Sequence, residues 1–347
     1  GNQLAQPAQV PAQPSEYVRQ LPYLAYKESL GGGHFLKTVA CRHDDGGLIV
    51  VKAYFRKTKE LQKEYAKQEQ RMQEVHHALT SPPMTLSHVW PFHPRPLSDE
   101  RAAFIMRQYI FASLHERIYT PPFLMPMEKR WIGFQLLHAV AQCHARDVKH
   151  GDIKTENVLL TSFGWAFLVD FATFKPARLP ADNPADFSFF FDAGGRRRCY
   201  VAPERFYEGG VEATGEGEPR VTLASDVFAL GCTLAELFLE GQALFDLSQL
   251  LAYRRGEYDP SSSLAAIPDP SWREAIQDMI QIDPEARKSV AEHLESGVEN
   301  GLFPTYFSTV LHELVGSLVD LDADGRAAAL ANAYPTLRQC VVEHEAA

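Results

Sequence analysis

One short segment carries three side chains whose types and spacing suit the transfer of a phosphoryl group. It reads HGDIKTEN and occupies residues 150–157. The carboxylate of Asp152 can orient a substrate hydroxyl and accept its proton. The ammonium of Lys154 can offset charge on the transferring phosphate, and the amide oxygen of Asn157 can bind a metal ion. The alternative interpretation is a polar turn between a helix and a strand.

Four further motifs follow that segment in the order found in protein kinases. HGDIKTEN itself matches the catalytic-loop pattern H-x-D-x-K-x-x-N. Asp170 opens DFA after a short apolar strand and resembles the metal-binding Asp-Phe-Gly turn. APE at residues 202–204 closes the activation segment, and SDVFALG at residues 225–231 resembles the helix that anchors the catalytic loop. Arg287 resembles the late arginine that pairs with Glu204. Five motifs in kinase order are far more specific than one.

Upstream, one lysine and one glutamate are candidates for holding the phosphates of a nucleotide. Lys52 ends the β-type run IVVK, as the phosphate-holding lysine of a kinase does. Its partner is expected on the next helix, where four glutamates compete: Glu60, Glu64, Glu69 and Glu74. We choose Glu69 because it lies 17 residues after Lys52, in the middle of that helix.

Two more segments are expected to contact the nucleotide. Gly31 and Gly33 fit two positions of the glycine-rich loop, where glycines let backbone N–H groups approach phosphate oxygens. A glycine turn between strands is the alternative. Gln108 and Tyr109 resemble the hinge beside the base, and Arg107 is placed at the back of the base pocket. There Arg107 can donate to a purine O6; in the alternative it swings away toward Glu69 or another carboxylate and plays no part in base choice. The nucleotide is expected to be ATP or GTP, bound with Mg²⁺ or Mn²⁺.

Three other positions depart from an ordinary kinase. Gly151 replaces the arginine that receives an activation-loop phosphate, so we expect no such phosphorylation switch. Ala172 replaces the glycine of the metal-binding turn and restricts positive φ values. Arg197 stands where serine/threonine kinases carry a threonine, and we expect that it can pair with Asp152 and compete with substrate.

Composition excludes several classes of protein. The 347 residues are 45% hydrophobic and 22% charged, which is ordinary for a globular protein. A formal charge of −10 argues against a nucleic-acid partner, because phosphate contacts need clustered Lys and Arg. Five cysteines without a CxxC pair argue against a disulfide framework or a zinc site.

The order of the elements predicts an α+β, two-lobed protein-kinase fold. A disordered or lipidated leader (residues 1–20), rich in Gln, Pro and Ala over residues 1–15, is expected to precede a small β-rich N-lobe (residues 21–110). A larger helical C-lobe (residues 111–300) includes a buried helix over residues 224–239. Residues 301–347 are expected to form a helical connection to downstream repeats that this chain lacks.

A narrower resemblance depends on the activation segment. LPADNPADF at residues 179–187 is followed by FFD at 190–192 and RRR at 196–198. Together with HGDIKTEN and the opening GNQL, these segments resemble the protein-kinase regulatory subunit of the class III phosphatidylinositol 3-kinase complex, in the vacuolar protein sorting family. The resemblance covers roughly residues 1–300.

That resemblance implies partners and a location. The expected partners are the class III phosphatidylinositol 3-kinase catalytic subunit, a Beclin-type subunit and a membrane surface. It also implies an N-terminal myristate on Gly1, although Ala5 departs from the usual acylation motif. The expected location is cytoplasmic, on endosomal, Golgi, vacuolar and autophagic membranes.

Three functions remain open at this point. The first is a Mg-dependent serine/threonine kinase that is also a regulatory subunit. The second is a pseudokinase whose bound nucleotide regulates the lipid kinase without phosphotransfer. The third is a scaffold with an empty pocket, which the presence of Lys52, Asn157 and Asp170 disfavours.

Overall fold

The structure, a computed structural model, describes most of the chain. The described residues are 18–19, 21–32, 36–55, 62–81, 86–90, 92–96, 102–110, 112–192, 194–208 and 220–346. They fall into two compact units. The first unit is Gly1–His76 with Phe92–Tyr109, and the second is His77–Pro91 with Ile110–Ala347.

The first unit is built on an antiparallel sheet. Its strands are β1 (Leu24–Gly32), β2 (Leu36–His43), β3 (Leu48–Phe55), β4 (His93–Pro96) and β5 (Ala102–Gln108). They lie in the order β1-β2-β3-β5-β4. One face carries Val51 and Met106, which pack with Val18 and Leu21 from the segment before β1. Since side chains alternate along a strand, the residues next to these in sequence point to the other face.

A charged helix, α1 (Gln62–Thr80), follows the third strand. It carries few apolar residues, but Met72 is 1% exposed and Leu79, seven residues later, is also buried. A spacing of seven residues is two helical turns, so these side chains form one inward face. The amphipathic pattern therefore fixes which residues of this polar helix point inward.

The second unit is mainly helical. Its α-helices between Ala112 and Glu295, within the described residues, are α2 (Leu114–Tyr119), α3 (Pro126–His144), α4 (Pro184–Phe190), α5 (Leu223–Phe238), α6 (Leu247–Arg254), α7 (Ser261–Ala265), α8 (Pro270–Met279) and α9 (Val290–Glu295). Every residue of α5 from Ser225 to Phe238 is buried, which confirms the prediction of a central buried helix. A Cβ atom at Gly231 would lie 2.8 Å from Met279, so glycine allows α5 and α8 to approach closely.

Short strands complete the second unit. β6 (Ala112–Ser113), β7 (Val158–Leu160) and β8 (Ala166–Leu168) form an antiparallel sheet. β9 (Leu179–Pro180) pairs in parallel with β10 (Phe206–Tyr207). The open end of the β7–β8 hairpin carries the residues that precede β7 and those that follow β8. These residues belong to the candidate functional site.

A helical tail follows α9, as expected for residues 301–347. A π-helical turn (Phe307–Leu311) leads into α10 (His312–Ser317) and then α11 (Ala323–Ala346). Phe307 and Leu318 are each 1% exposed, so the tail shares in the core of the second unit. Within the described residues, no helix combines the length and the apolarity needed to cross a bilayer.

Candidate active site

A buried aspartate on α5 holds the catalytic loop in place. Asp226 is 1% exposed and accepts hydrogen bonds from the backbone N–H groups of His150, at 2.7 Å, and Gly151, at 2.8 Å. His144 approaches the same carboxylate at 3.2 Å. Burial alone would raise the pKa of Asp226, but the hydrogen bonds from His144 and the backbone hold it below its usual value. The anchoring role predicted for this motif fits these contacts.

His150 ties the loop to the β7–β8 hairpin. Its Nε2–H donates to the carbonyl of Val169 at 2.9 Å, because a carbonyl can only accept. Its Nδ1 then accepts from the backbone N–H of Asp152 at 3.2 Å. Burial lowers the pKa of His150, in keeping with a neutral ring that uses one nitrogen as donor and the other as acceptor.

Gly151 has a backbone conformation that favours glycine. Its φ is +75°, and an added Cβ would lie 3.1 Å from the Cβ of Ala172. The buried Arg205 lies nearby and donates to the carbonyls of Gly151, Pro176 and Ala177 at 2.8 to 2.9 Å. These contacts link the catalytic loop to the activation segment without a phosphate.

Asp152 is almost fully buried and paired with cations. Its Oδ2 accepts from Asn157 Nδ2 at 2.9 Å and from Lys175 Nζ at 2.6 Å, and Lys154 Nζ lies 3.4 Å away. Burial would raise the pKa of this carboxyl, but Lys154 and Lys175 lower it to about 2. Asp152 is therefore an ionised acceptor, as the proposed base must be.

The cation expected to pair with Asp152 was wrongly identified from the sequence. Arg197 is exposed, has a φ of 57°, and uses its backbone N–H to reach Asp192 Oδ2 at 3.0 Å. Lys175 makes the contact instead. A lysine five residues after Asp170 belongs to no motif used here, so only the folded activation segment reveals it.

The two predicted metal ligands lie at the open end of the β7–β8 hairpin. The N–H of Val169 donates to the carbonyl of Asn157 at 3.0 Å, which places Asp170 one residue beyond that pair. The Nδ2 of Asn157 donates to the carbonyl and the carboxylate of Asp152, so its amide oxygen is the atom suited to a ligand. Oxygen donors of this kind fit Mg²⁺.

This pair of ligands suits a metal bound together with phosphates. Among the described residues there is no group of three or more His, Cys, Asp or Glu side chains that could hold a metal ion alone. Asp170 has a φ of 69°, and the following Phe171 is buried with its ring 4.5 Å from that of His150. The ring contact fixes the position of the turn that carries Asp170.

The end of the activation segment is held by two ion-pair networks. Arg287 donates to both carboxylate oxygens of Glu204, at 2.8 and 2.9 Å, as the motif predicts. Glu236, 0% exposed on α5, accepts from Arg198, Tyr200 and, at 3.3 Å, Thr155. Glu236 and Arg205 were missed from the sequence, although Arg205 directly follows the APE motif.

The predicted nucleotide-binding residues belong to the first unit. Lys52 on β3 lies opposite Ile105 on β5, and Arg107 is two residues further along the same strand. All three side chains therefore share one face of the sheet. Arg107 is 9% exposed and donates to the carbonyl of Gln108 at 3.3 Å. The N–H of Tyr109 donates to the carbonyl of Leu48 at 3.0 Å.

The remaining residues of this group differ in how far the structure describes them. Glu69 is half-buried on α1, three residues before the inward-facing Met72. Glu74, an alternative, is exposed and accepts from Gln70 at 2.8 Å. Gly31, the last residue but one of β1, has a φ of 114°, a value that favours glycine. Gly33 and Gly1 lie outside the described residues.

Relatives carry the same type of domain. Three similar proteins are serine/threonine-protein kinase VPS15 of Arabidopsis thaliana, 47% identical, the probable serine/threonine-protein kinase vps15 of Dictyostelium discoideum, 41%, and serine/threonine-protein kinase VPS15 of Saccharomyces cerevisiae, 36%. The matches cover 99%, 92% and 88% of this chain but 23%, 16% and 21% of those proteins. The predicted resemblance to a vacuolar protein sorting kinase is confirmed.

The predicted protein-kinase fold is confirmed as well. The crystal structure of Rad53 1-466 in complex with AMP-PNP matches with a TM-score of 0.57 at 17% identity, over 79% of this chain and 65% of that one. The family model described as protein kinase domain matches residues 24–298. The chain thus belongs to the protein kinase domain family.

Proposed function

We propose that this domain is a serine/threonine-type protein kinase and acts as the regulatory subunit of a class III phosphatidylinositol 3-kinase complex. The observation that carries the catalytic part is the arrangement around Asp152. An ionised carboxylate, a lysine two residues later and an amide five residues later converge on a loop that Asp226 anchors. Each of these side chains has a part in phosphoryl transfer.

The chemistry of the proposed step follows from these groups. A serine or threonine hydroxyl approaches Asp152, which orients it and takes its proton as the new O–P bond forms. The bond from the terminal phosphorus to the bridging oxygen breaks, and a nucleoside diphosphate leaves. Lys154 offsets the charge on the transferring group. Mg²⁺ or Mn²⁺, when bound by Asn157 and Asp170, would neutralise phosphate charge.

Replacing the base tests this proposal most directly. The Asp152→Asn protein keeps the size of the side chain, but it exchanges one acceptor oxygen for an NH2 donor and cannot accept a proton. Phosphotransfer to casein from radiolabelled Mg·ATP or Mg·GTP is expected to fall about 100-fold or more, which is the usual contribution of a general base. An unchanged rate would show that the activity comes from elsewhere.

A second candidate function is a pseudokinase that regulates the lipid kinase through bound nucleotide. The observation that favours it is the ion pair between Lys175 and Asp152 at 2.6 Å, which occupies the proposed base. This function predicts nucleotide binding that depends on Asp170 but no phosphotransfer that depends on Asp152. Calorimetry with Mg·nucleotide on the Asp170→Ala protein, beside the transfer assay, separates the two.

The choice of purine depends on Arg107. This side chain shares a sheet face with Lys52 and is nearly buried, so its guanidinium is suited to contact a base bound near that face. A guanidinium can donate to guanine O6 but meets another donor in the amino group of adenine. We therefore propose that GTP binds at least as well as ATP. Titrations with both nucleotides on wild type and Arg107→Met test this.

The wider role rests on the resemblance to longer relatives. Because the matches span at most 23% of those proteins, assembly with a class III phosphatidylinositol 3-kinase catalytic subunit and a Beclin-type subunit is a proposal for the whole protein. So are myristoylation of Gly1 and residence on endosomal, Golgi, vacuolar and autophagic membranes. Co-purification from cells, with mass spectrometry of the N-terminal peptide, tests these points together.

A further inference from the structure

Lys175 and Asp152 form a close, nearly buried ion pair at the carboxylate where a substrate hydroxyl would have to bind. One carboxylate oxygen, Oδ2, accepts both the Lys175 ammonium at 2.6 Å and the Asn157 amide at 2.9 Å. An oxygen of a carboxylate offers about two lone pairs, so these two donors saturate it. The side chains of Lys175 and Asp152 are only 12% and 8% exposed, so water screens their attraction little.

A ring from the activation segment holds Lys175 in this position. The ammonium of Lys175 lies 4.7 Å from the ring centroid of Phe191, and the guanidinium of Arg205 lies 5.0 Å from that centroid. Phe191 is 8% exposed and directly follows α4. We call Lys175, Phe191 and Arg205 the cation–ring stack. Cations near aromatic rings are attracted by the ring quadrupole, most strongly where water is excluded.

The stack is itself fixed to the catalytic loop. Arg205 donates to the carbonyl of Gly151, the residue next to Asp152 in sequence, at 2.8 Å. It also donates to the carbonyls of Pro176 and Ala177, which directly follow Lys175. Arg205 therefore joins the backbone beside the lysine to the backbone beside the base. The ion pair is built into the activation segment and does not depend on a flexible surface lysine.

We propose that Lys175 is an inhibitory positioning residue, which competes with the substrate hydroxyl for Asp152 and slows phosphotransfer until the activation segment releases it. This inference rests on the proposed kinase function. Release requires Lys175 to leave both Asp152 and the ring of Phe191, while Lys154 stays beside the carboxylate to offset phosphate charge. A protein substrate or partner that displaces α4 and Phe191 would therefore raise the rate without any phosphorylation of the segment.

Three variants of the protein test this directly. Lys175→Met removes the charge but keeps the length of the side chain, and kcat for casein phosphorylation is expected to rise about tenfold, the usual effect of one charged hydrogen bond. KM for Mg·nucleotide is expected to stay unchanged. Lys175→Arg restores a cation and should stay near the wild-type rate. Lys129→Met is the matched control, because that lysine has the same 12% exposure and pairs with Glu240.

A second variant weakens the hold on Lys175 without changing the lysine itself, so the test does not depend on the folding of one variant. Phe191→Leu keeps an apolar side chain but removes the ring, and kcat is expected to rise about threefold. Melting temperatures identify any variant that has lost its fold. If folded Lys175→Met or Phe191→Leu protein transfers phosphate no faster than wild type, the inhibitory role is wrong.

The Asp152→Asn variant separates failure of this inference from failure of the proposed function. If Asp152→Asn abolishes transfer while Lys175→Met leaves it unchanged, the kinase assignment stands and the inhibitory role falls. If wild type, Lys175→Met and Asp152→Asn all lack transfer, the proposed kinase function falls and the inference falls with it. A gain in Lys175→Met that disappears when Asp152→Asn is added supports both.

Discussion

The catalytic loop and a cluster of three histidines both bury ionisable groups in the second unit, but they do so in opposite ways. Around Asp152 and Asp226 the carboxylates stay charged, because cations and N–H groups face them. In the histidine cluster, His88, His138 and His312 lie with ring centroids 5.0 to 6.2 Å apart, and burial lowers the pKa of each ring.

This difference determines how each region should respond to change. A charged pair that loses one partner leaves an uncompensated charge in a dry environment, which costs several kcal/mol. A neutral cluster loses little when one ring is replaced by another of similar size, but it is sensitive to protons. At neutral pH, mutations should therefore destabilise the charged region more than the histidine cluster. Acid should destabilise the protein through the histidine cluster, because burial favours the neutral form of its rings.

The largest effect is expected from removing the anchor of the catalytic loop. Asp226→Ala leaves the N–H groups of His150 and Gly151 without an acceptor inside the core. The free energy of unfolding is expected to fall by about 3–5 kcal/mol, as for other broken buried charge networks. Urea denaturation measures this. Asp246→Ala is the control, because Asp246 caps α6 by a 2.7 Å bond to the Gln249 N–H and its loss should cost about 1 kcal/mol.

A smaller effect is expected where the carboxylate of the charge pair is less buried. Arg287→Met leaves Glu204, whose side chain is 23% exposed, without its two hydrogen bonds. The loss should be about 2–3 kcal/mol, between that of a buried and that of an exposed pair. Arg254→Met breaks the surface pair with Glu208 and should cost under about 1 kcal/mol. Equal losses in the two arginine variants would contradict the assigned difference in burial.

The sequence predicts the charged region well, because its contacts join residues at fixed spacing within motifs. Asp152, Lys154 and Asn157 lie on one short loop, and Glu204 and Arg287 occupy motif positions with a known pairing. The helix that carries Asp226 is apolar almost all round, so its burial follows from composition. Local chemistry and periodicity are enough for these features.

The sequence does not predict contacts that depend on how the activation segment folds back. Lys175 reaches Asp152, 23 residues earlier, through a segment whose path is fixed by Arg205 and by the strand pair of Leu179 with Phe206. Its position in the sequence predicts that Arg197 pairs with Asp152, but its φ of 57° belongs to a turn held by Asp192. Only tertiary structure distinguishes these cations.

The sequence also does not predict the histidine cluster, because its members lie 50 and 174 residues apart along the chain. The Nδ1–H of His88 donates to the carbonyl of Ala166 at 2.9 Å. Its Nε2 must then accept from the Nε2–H of His312, 2.8 Å away. With His312 in this tautomer, a proton added to His88 would set two N–H groups against each other.

The smallest predicted effect is the acid sensitivity that this cluster confers. Burial lowers the pKa of His88 to about 3 and that of His138 to about 4, whereas both titrate near 6.5 when unfolded. Between those pH values the unfolded chain binds more protons than the folded chain. The stabilisation is therefore complete above about pH 6.5 and falls as the pH drops toward about 4.

The His138→Phe variant tests this sensitivity, because it keeps a ring in contact with Phe134 and His312 but cannot titrate. Between pH 7 and pH 5 it should lose about 1–2 kcal/mol less than wild type in urea denaturation. His344→Phe on the exposed end of α11 should behave like wild type, and an equal acid loss in the His138→Phe protein would show that this ring is already protonated in the fold.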